Sequence, residues 1–193
     1  MTKPRLILAS ASKSRLALLK QIHIIPDIIE PADIDEVRGK SEKPVNMVKR
    51  LAKAKCHKIS DKYPSDIVLS ADTVSVVGNK VLDKTYDENI EREYLGLIGG
   101  RRHRLYSSVC VSYKEKDIFR QKTELSILKF KRFSQKEIEE IIASREWEGC
   151  SGGYAIEGMM GKFLISVSGS VSNVMGLPLH QIYNLLNGIN YLK

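Results

Sequence analysis

An aspartate that directly follows the most apolar segment of the chain is the first candidate for chemistry. Residues 66–71 read DIVLSA, which predicts a buried strand that presents Asp72 and Thr73 at its end. Sheets in α/β proteins often carry functional groups at this position, where a carboxylate can bind a metal or activate water. A turn-forming or capping aspartate explains the pattern equally well.

A serine-rich segment near the N-terminus is a candidate anion-binding site. Residues 10–15 read SASKSR and lie between a predicted strand and a predicted helix. The backbone N–H groups at a helix start, with the hydroxyls of Ser10, Ser12 and Ser14, can bind phosphate oxygens. Arg15 adds a bidentate guanidinium. The simpler alternative is a serine N-cap followed by a surface arginine.

Acidic residues in a polar loop could complete a metal site. Asp33, Asp35 and Glu36 lie in this loop, and one or two of them could act together with Asp72. Mg²⁺ needs only one or two protein carboxylates, because water and substrate phosphates supply its other ligands. A solvated acidic loop is the plainer interpretation.

Lysines are candidates for binding phosphate charge. Lys53 and Lys55 fall on a helix predicted over residues 45–59, and Lys84 follows a short strand. Their ammonium groups are compact point charges that suit a triphosphate. The chain contains 31 Lys and Arg residues, so each single lysine can also be an ordinary surface residue.

Two further positions stand out in the second half of the chain. Residues 154–158 read YAIEG, where glycine permits close approach of the backbone to a ligand. Ionised Glu157 is an acceptor and would prefer a base that carries N–H donors. His103 is a possible base or phosphate donor, although a lone histidine is usually structural.

The elements that must position these residues alternate between strands and helices. A second strand is predicted at residues 22–29, and two long strands at residues 104–113 and 118–130 are joined by KEKD. Asp87 and Ser134 have the types and spacing of helix N-caps. The pattern predicts a single α/β domain over residues 1–193, with a long mixed sheet and no repeat or linker.

Composition narrows the classes of protein. The formal net charge of +8 favours polyanionic partners, among them nucleic acid, anionic membranes and nucleotides. No apolar run reaches the roughly 18 residues of a membrane span, and the N-terminus does not resemble a signal peptide. Three widely spaced cysteines predict free, buried thiols in the cytoplasm.

The order of the motifs carries more information than any one of them. They read LASASKSR, IDE, RLAKAK, SADTV, VLDK, GGRRH, GGYAIEG and GSVSNVMGLPL. In this order they resemble the Maf family of nucleotide pyrophosphatases over almost the whole chain. The resemblance implies an ITPase-like fold with a long mixed sheet and two lobes around a deep cleft.

The resemblance also implies a biochemical activity. Such a protein hydrolyses a nucleoside triphosphate to the monophosphate and diphosphate with a divalent metal ion, Mg²⁺ or Mn²⁺. It is cytoplasmic, frequently a homodimer, and is linked to the removal of non-standard nucleotides and to cell-division arrest.

The family's functional positions transfer to this chain residue by residue. Its catalytic positions correspond to Asp72, Glu36 and Lys55, and the two carboxylates are the implied metal ligands. Its substrate-binding positions correspond to Ser10, Ser12, Ser14, Arg15, Thr73, Lys84 and Glu157.

The residues implied in base choice form a hybrid pattern. Members that prefer dTTP and UTP usually combine Thr at the Thr73 position with Gln at the Glu157 position, and members that act on 7-methyl-GTP combine Gln with Glu. Glutamine suits O4 and N3–H of uracil, whereas ionised glutamate suits N1–H and N2–H₂ of guanine. An unpaired buried acceptor facing O4 would cost about 1–3 kcal/mol, so the pattern leaves the preferred base open.

Two other departures and one alternative function remain. Ser14 replaces the arginine that is usual in the dTTP/UTP group, and Thr85 replaces a proline, which predicts a looser Lys84 segment. The alternative function is a non-catalytic, basic nucleic-acid-binding or division-regulating protein that uses the RRHR segment. The sequence shows no recognition helix and no aromatic RNA-binding motif, which disfavours nucleic acid as a partner.

Overall fold

The fold is a mixed sheet with helices, as a computed structural model that describes residues 3–192 shows. Within these residues seven strands form one sheet in the order β2-β1-β3-β5-β6-β7, and β4 pairs with β3. The strands are β1 (Leu6–Leu8), β2 (Ile28–Ile29), β3 (Ile67–Val77), β4 (Lys80–Leu82), β5 (Arg102–Tyr113), β6 (Ile118–Phe130) and β7 (Leu164–Ser168). The helices are α1 (Lys13–Gln21), α2 (Pro44–Lys62), α3 (Glu88–Ile98), α4 (Gln135–Ser144), α5 (Val171–Val174) and α6 (Leu179–Gly188).

Strand directions confirm the predicted mixed sheet. β1 runs parallel to both β2 and β3, with Ile7 opposite Ile28 on one side and Val68 on the other. β3 and β4 form an antiparallel hairpin, and β6 and β7 are also antiparallel.

The described chain divides into two compact units. The first comprises residues 3–72, Ser107–Glu124 and residues 176–192, and the second comprises Thr73–Tyr106 and Leu125–Met175. The buried cluster of the first unit comprises Ile7, Ala9, Ala52, Cys56, Ile59, Val68 and Cys110. The larger cluster of the second unit includes Leu82, Leu95, Ile98, Leu105, Leu128, Phe130, Trp147 and Phe163.

Local sequence explains where the helices begin. The Asp87 carboxylate accepts the N–H groups of Asn89 and Ile90 at 2.8 and 3.4 Å. Ser134 and Glu137 form the predicted capping box at the start of α4, with reciprocal hydrogen bonds of 3.3 and 2.8 Å. Among the helices of residues 3–192, none combines the length and the apolarity that crossing a membrane requires.

Two predictions about elements need correction, and one element was not predicted. Asp72 does not end a strand, as was predicted, but lies inside β3. This strand continues through the polar residues Asp72 and Thr73 to Val77, where it pairs with β4. The strand predicted over residues 22–29 shrinks to Ile28–Ile29, because His23 has a φ of 58° and Pro26 has no N–H group. Helix α5 was not predicted.

Candidate active site

A lysine ammonium joins two carboxylates in the first unit. Lys55 Nζ lies 2.6 Å from Asp72 Oδ1 and 2.7 Å from Glu36 Oε1. Helix α2 packs its Ala52, Cys56 and Ile59 face into the core, and Lys55 is also buried, at 7% exposure. Three of the residues predicted to be catalytic therefore meet at one point.

Asp72 has an environment that alters its protonation. Its exposure is only 5%. Burial raises the pKa of Asp72, while the positive charges of Lys55 and Arg15 act in the opposite direction. The result is a carboxylate that is more basic than one on the surface yet is held by cations, which suits both metal binding and proton acceptance.

The serine-rich segment forms the start of α1 and fixes Arg15. Ser12 is the N-cap, and its hydroxyl accepts the Arg15 N–H at 3.3 Å. Arg15 Nη1 donates to Ser10 Oγ at 3.1 Å, and Nε donates to the Gly176 carbonyl at 3.0 Å. The N-cap interpretation is right for Ser12, but Arg15 is a partly buried, oriented guanidinium. Ser14 lies in the first turn of α1.

Arg15 belongs to the same electrostatic cluster as the lysine and the two carboxylates. Burial lowers the pKa of the Arg15 guanidinium, and the negative charges of Asp72 and Glu36 raise it. The cluster of Arg15, Glu36, Lys55 and Asp72, hereafter the charged cluster, combines two cations with two anions in the first unit.

The remaining acidic residues of the loop have local roles. Asp35 Oδ1 accepts the N–H of Val37 at 2.9 Å, which forms an Asx-type turn. The Asp33 backbone carbonyl accepts Lys58 Nζ. Glu36 is therefore the loop carboxylate that reaches Lys55.

The charged cluster offers a limited set of metal ligands. Among residues 3–192, no group of three or more His, Cys, Asp or Glu side chains could hold a metal ion. Asp72 Oδ1 and Glu36 Oε1 nevertheless both contact Lys55 Nζ, at 2.6 and 2.7 Å, so the two oxygens lie close to each other. Two hard carboxylates fit Mg²⁺ or Mn²⁺ when water and phosphate complete the shell.

Two of the residues predicted to select the base, Thr73 and Glu157, lie in the second unit. The carbonyl of Thr73, within β3, accepts Ser151 Oγ at 2.9 Å. Lys84 is exposed between β4 and α3. The next residue, Thr85, is buried, and its hydroxyl accepts the Asp87 N–H while its carbonyl accepts the Gly149 N–H, both at 3.0 Å. Hydrogen bonds thus fix the segment that was expected to be looser.

The loop that carries Glu157 is anchored next to this residue. Glu146 Oε2 accepts the Met159 N–H at 2.6 Å and also packs against Gly158, where it leaves no space for a Cβ atom. The Gly158 N–H donates to the Ala155 carbonyl at 3.3 Å. Glu157 itself is exposed on this constrained turn.

Glu91 is a buried titratable residue that sequence reasoning missed. It is fully buried, and neither carboxylate oxygen has a hydrogen-bond partner among the described residues. Burial raises the pKa of Glu91 to about 9. Glu91 lies in the first turn of α3, where a solvated carboxylate is common, so the sequence gives no indication that this side chain is buried.

Comparison with known proteins finds related sequences over almost the whole chain. Residues 5–189 match the family model described as Maf-like protein. The chain is 46% identical over 190 residues to a dTTP/UTP pyrophosphatase of Wolbachia sp. subsp. Drosophila simulans (strain wRi), which covers 97% of this chain and 94% of the relative. It is 44% identical over 182 residues to a nucleoside triphosphate pyrophosphatase of Ehrlichia canis (strain Jake), with 94% of each covered.

A more distant likeness exists among solved structures. A HAM1 protein from Coxiella burnetii aligns with a TM-score of 0.45 and 15% identity, covering 68% of this chain and 75% of that chain.

Proposed function

The chain belongs to the Maf family, and from this premise we propose that the charged cluster is the catalytic centre of its nucleoside triphosphate pyrophosphatase activity. The enzyme hydrolyses a nucleoside triphosphate to the monophosphate and diphosphate, and is a hydrolase acting on acid anhydrides. The observation that supports the assignment is the convergence of Asp72 and Glu36 on Lys55.

The phosphate-binding part of the proposal relies on α1. The serine-rich segment leads into the N-terminus of this helix, and the helix dipole favours anions there. Arg15 presents a planar donor group whose orientation Ser10 and Gly176 already fix. We assign Ser10, Ser12, Ser14, Arg15 and Lys84 to the triphosphate, and in that assignment Arg15 acts as a preorganised clamp.

A divalent ion, Mg²⁺ or Mn²⁺, completes the proposed centre, with Asp72 and Glu36 as its protein ligands. When bound, such an ion neutralises phosphate charge and lowers the pKa of a coordinated water molecule.

Proton transfer falls to Asp72 in this proposal. A water oxygen forms a bond to the α-phosphorus, the bond from that phosphorus to the bridging oxygen breaks, and diphosphate leaves. Asp72 accepts the proton that the water loses, for which its raised pKa is favourable. Lys55 holds the carboxylate in place and offsets negative charge as it develops.

The base that we propose is uracil or thymine, so the substrates are UTP and dTTP. Relatives at 40–46% identity that bear the name dTTP/UTP pyrophosphatase support this choice. The N3–H group of these bases is a donor that Glu157 can accept, and the Thr73 hydroxyl can donate to a base oxygen.

Product analysis tests the activity and the base together. Purified protein with Mg²⁺ is incubated separately with dTTP, UTP, CTP, GTP and 7-methyl-GTP, and monophosphate, diphosphate and phosphate are resolved. Monophosphate plus diphosphate, fastest from dTTP and UTP, is the expected result. Preference for GTP or 7-methyl-GTP would refute the base assignment alone, whereas no turnover by folded protein would refute the activity.

A pair of variants tests the catalytic centre. Asp72→Asn should keep the fold and lower kcat by at least about 10², because the amide cannot accept the proton. Asp33→Asn is the matched control, since the structure gives the Asp33 side chain no place in the charged cluster. A fully active Asp72→Asn enzyme would remove Asp72 from the mechanism.

Location and assembly are further proposals from the family membership. We propose that the protein is a homodimer and is cytoplasmic. Light scattering after size exclusion would test the homodimer by measuring its molar mass. The alternative of a non-catalytic nucleic-acid-binding protein loses its basis, because the relatives are nucleoside triphosphate pyrophosphatases.

A further inference from the structure

A chain of hydrogen bonds, buried between His103, Tyr154 and Ser75, links His103 to the backbone of Thr73 in the second unit. His103 Nε2 lies 2.7 Å from Tyr154 Oη, which lies 3.1 Å from Ser75 Oγ. Ser75 Oγ is 3.3 Å from the Ser151 carbonyl oxygen, and Ser151 Oγ is 2.9 Å from the Thr73 carbonyl oxygen. We call this series of contacts the relay.

The carbonyl groups determine the direction of every bond in the relay. A carbonyl oxygen can only accept, so Ser151 and Ser75 must donate their hydroxyl protons to the carbonyls of Thr73 and Ser151. With its own proton used, Ser75 Oγ accepts from the Tyr154 hydroxyl. The Tyr154 oxygen then requires a donor, which is the Nε2–H group of His103.

The relay therefore fixes one tautomer of His103. With the proton on Nε2, Nδ1 carries a lone pair, and it has no hydrogen-bond partner among residues 3–192. A protonated imidazole would bury an unpaired N–H donor, and burial accordingly lowers the pKa of His103 to about 4. The ring also stacks on Phe130, with centroids 5.6 Å apart, so its orientation is restricted.

Close packing prevents the relay from shifting. Gly152 has a φ of +84°, and a Cβ atom there would lie 2.5 Å from Ser75 Oγ. Its N–H donates to the Leu82 carbonyl on β4 at 3.0 Å. The glycine thus lets the loop approach β3 closely enough for Ser151 and Tyr154 to reach it.

The relay connects the two places that we assign to base recognition. One end fixes the backbone of Thr73, and Tyr154 lies three residues before Glu157 on the loop that Glu146 anchors from the other side. We propose that His103 is a positioning residue for base selectivity, which it influences through Tyr154, Ser75 and Ser151 without touching the nucleotide. This inference rests on the proposed function, since it assumes that Thr73 and Glu157 contact the base.

Directionality distinguishes the relay from ordinary core packing. Apolar side chains of similar volume could fill the same space, but only donors and acceptors in a fixed order define where the Thr73 carbonyl and the loop must lie. Small displacements of recognition groups change affinity for one base relative to another more than they change folding.

Three variants separate positioning from packing. His103→Leu removes the donor, and Tyr154→Phe removes the hydroxyl that connects His103 to Ser75. His103→Gln retains an amide N–H that can replace Nε2–H. The exposed Tyr183 supplies a matched control, Tyr183→Phe, for loss of a tyrosine hydroxyl.

The measurement is kcat/KM for UTP, dTTP and GTP, with the melting temperature recorded in parallel. His103→Leu and Tyr154→Phe should lower the ratio of kcat/KM for the preferred over the disfavoured base by about two- to tenfold, the worth of one neutral hydrogen bond. His103→Gln should restore most of the ratio, and Tyr183→Phe should leave it unchanged. Equal losses for all three nucleotides, or only a lower melting temperature, would overturn the proposal.

A spectroscopic test does not depend on turnover. Nitrogen-15 NMR of the histidine rings should show His103 neutral and protonated at Nε2 across pH 5–8, as the relay requires. Protonation at Nδ1 would contradict the relay even in an active enzyme. Absence of turnover in the wild type would instead contradict the proposed function and leave the NMR result standing.

Discussion

Replacing Glu91 by glutamine should stabilise the protein, and the gain should increase with pH. The side chain is fully buried beside Gly153, where a Cβ atom would overlap the carboxyl group. Neither oxygen has a partner among the described residues, so ionisation places an uncompensated charge in the core. Glutamine has nearly the same shape as the neutral acid and cannot ionise.

The size of the effect follows from the two pKa values. Burial raises the pKa of Glu91 from 4.5 to about 9, so the folded state holds a proton that the unfolded chain releases. The stability contributed by the neutral group is fully present below pH 4.5 and is lost as the pH rises towards 9. The slope is about 1.4 kcal/mol per pH unit, which gives a loss of about 3 kcal/mol at pH 7.

Urea unfolding between pH 5 and pH 8 measures the contribution of Glu91 to the free energy of unfolding. The quantity of interest is the difference in free energy of unfolding between Glu91→Gln and the wild type, because other titrating groups cancel in that difference. It should increase with pH at about 1.4 kcal/mol per unit. Glu88→Gln, an exposed change in the same turn of α3, should show a far smaller slope.

One result would refute this reasoning. If the difference between Glu91→Gln and the wild type is constant from pH 5 to pH 8, the carboxylate ionises in the folded state at its ordinary pKa. Glu91 would then have a partner or water access that its burial does not indicate.

Three other changes test separate parts of the structure. Lys55→Met should lower the free energy of unfolding by about 3–5 kcal/mol and abolish turnover, because Asp72 would lose its buried cation. A melting temperature equal to that of the wild type would contradict the predicted loss of stability. Arg15→Lys should raise KM for the triphosphate by about tenfold, since lysine cannot form a two-pronged contact, and an unchanged KM in initial-rate assays would argue against the clamp. Ser134→Ala should cost about 1 kcal/mol in urea unfolding with kcat unchanged, and a lower kcat would show that α4 influences the site.

The parts of the site that lie on one periodic element were predictable from sequence. Lys55 lies on the face of α2 that also carries Ala52 and Ile59, so its inward direction follows from the helical period. The contact between Lys55 and Asp72 then follows if α2 packs on β3, the next strand along the chain. Local signals likewise predicted the caps at Asp87 and Ser134.

The relay and the burial of Glu91 could not be predicted in this way. His103 and Tyr154 are 51 positions apart, and Ser75 and Tyr154 are 79 apart, so no local pattern connects them. Only the assembled sheet brings them together. The continuity of β3 through Asp72 was also missed, because Asp72 and Thr73 are polar residues that resemble the end of a strand.

The length of β3 limits how this protein can evolve. Asp72 and Thr73 are consecutive residues of one strand, so their side chains project from opposite faces of the sheet. Pairing of Leu69 with Leu8 before them, and of Ser75 with Leu82 after them, fixes the register on both sides. Substitutions at these positions leave that register intact, whereas inserting or deleting a single residue between 69 and 75 would exchange the faces of every residue beyond it. Descendants of this sequence should therefore differ here by replacement and carry their length changes elsewhere, for instance at the open Gly78 turn.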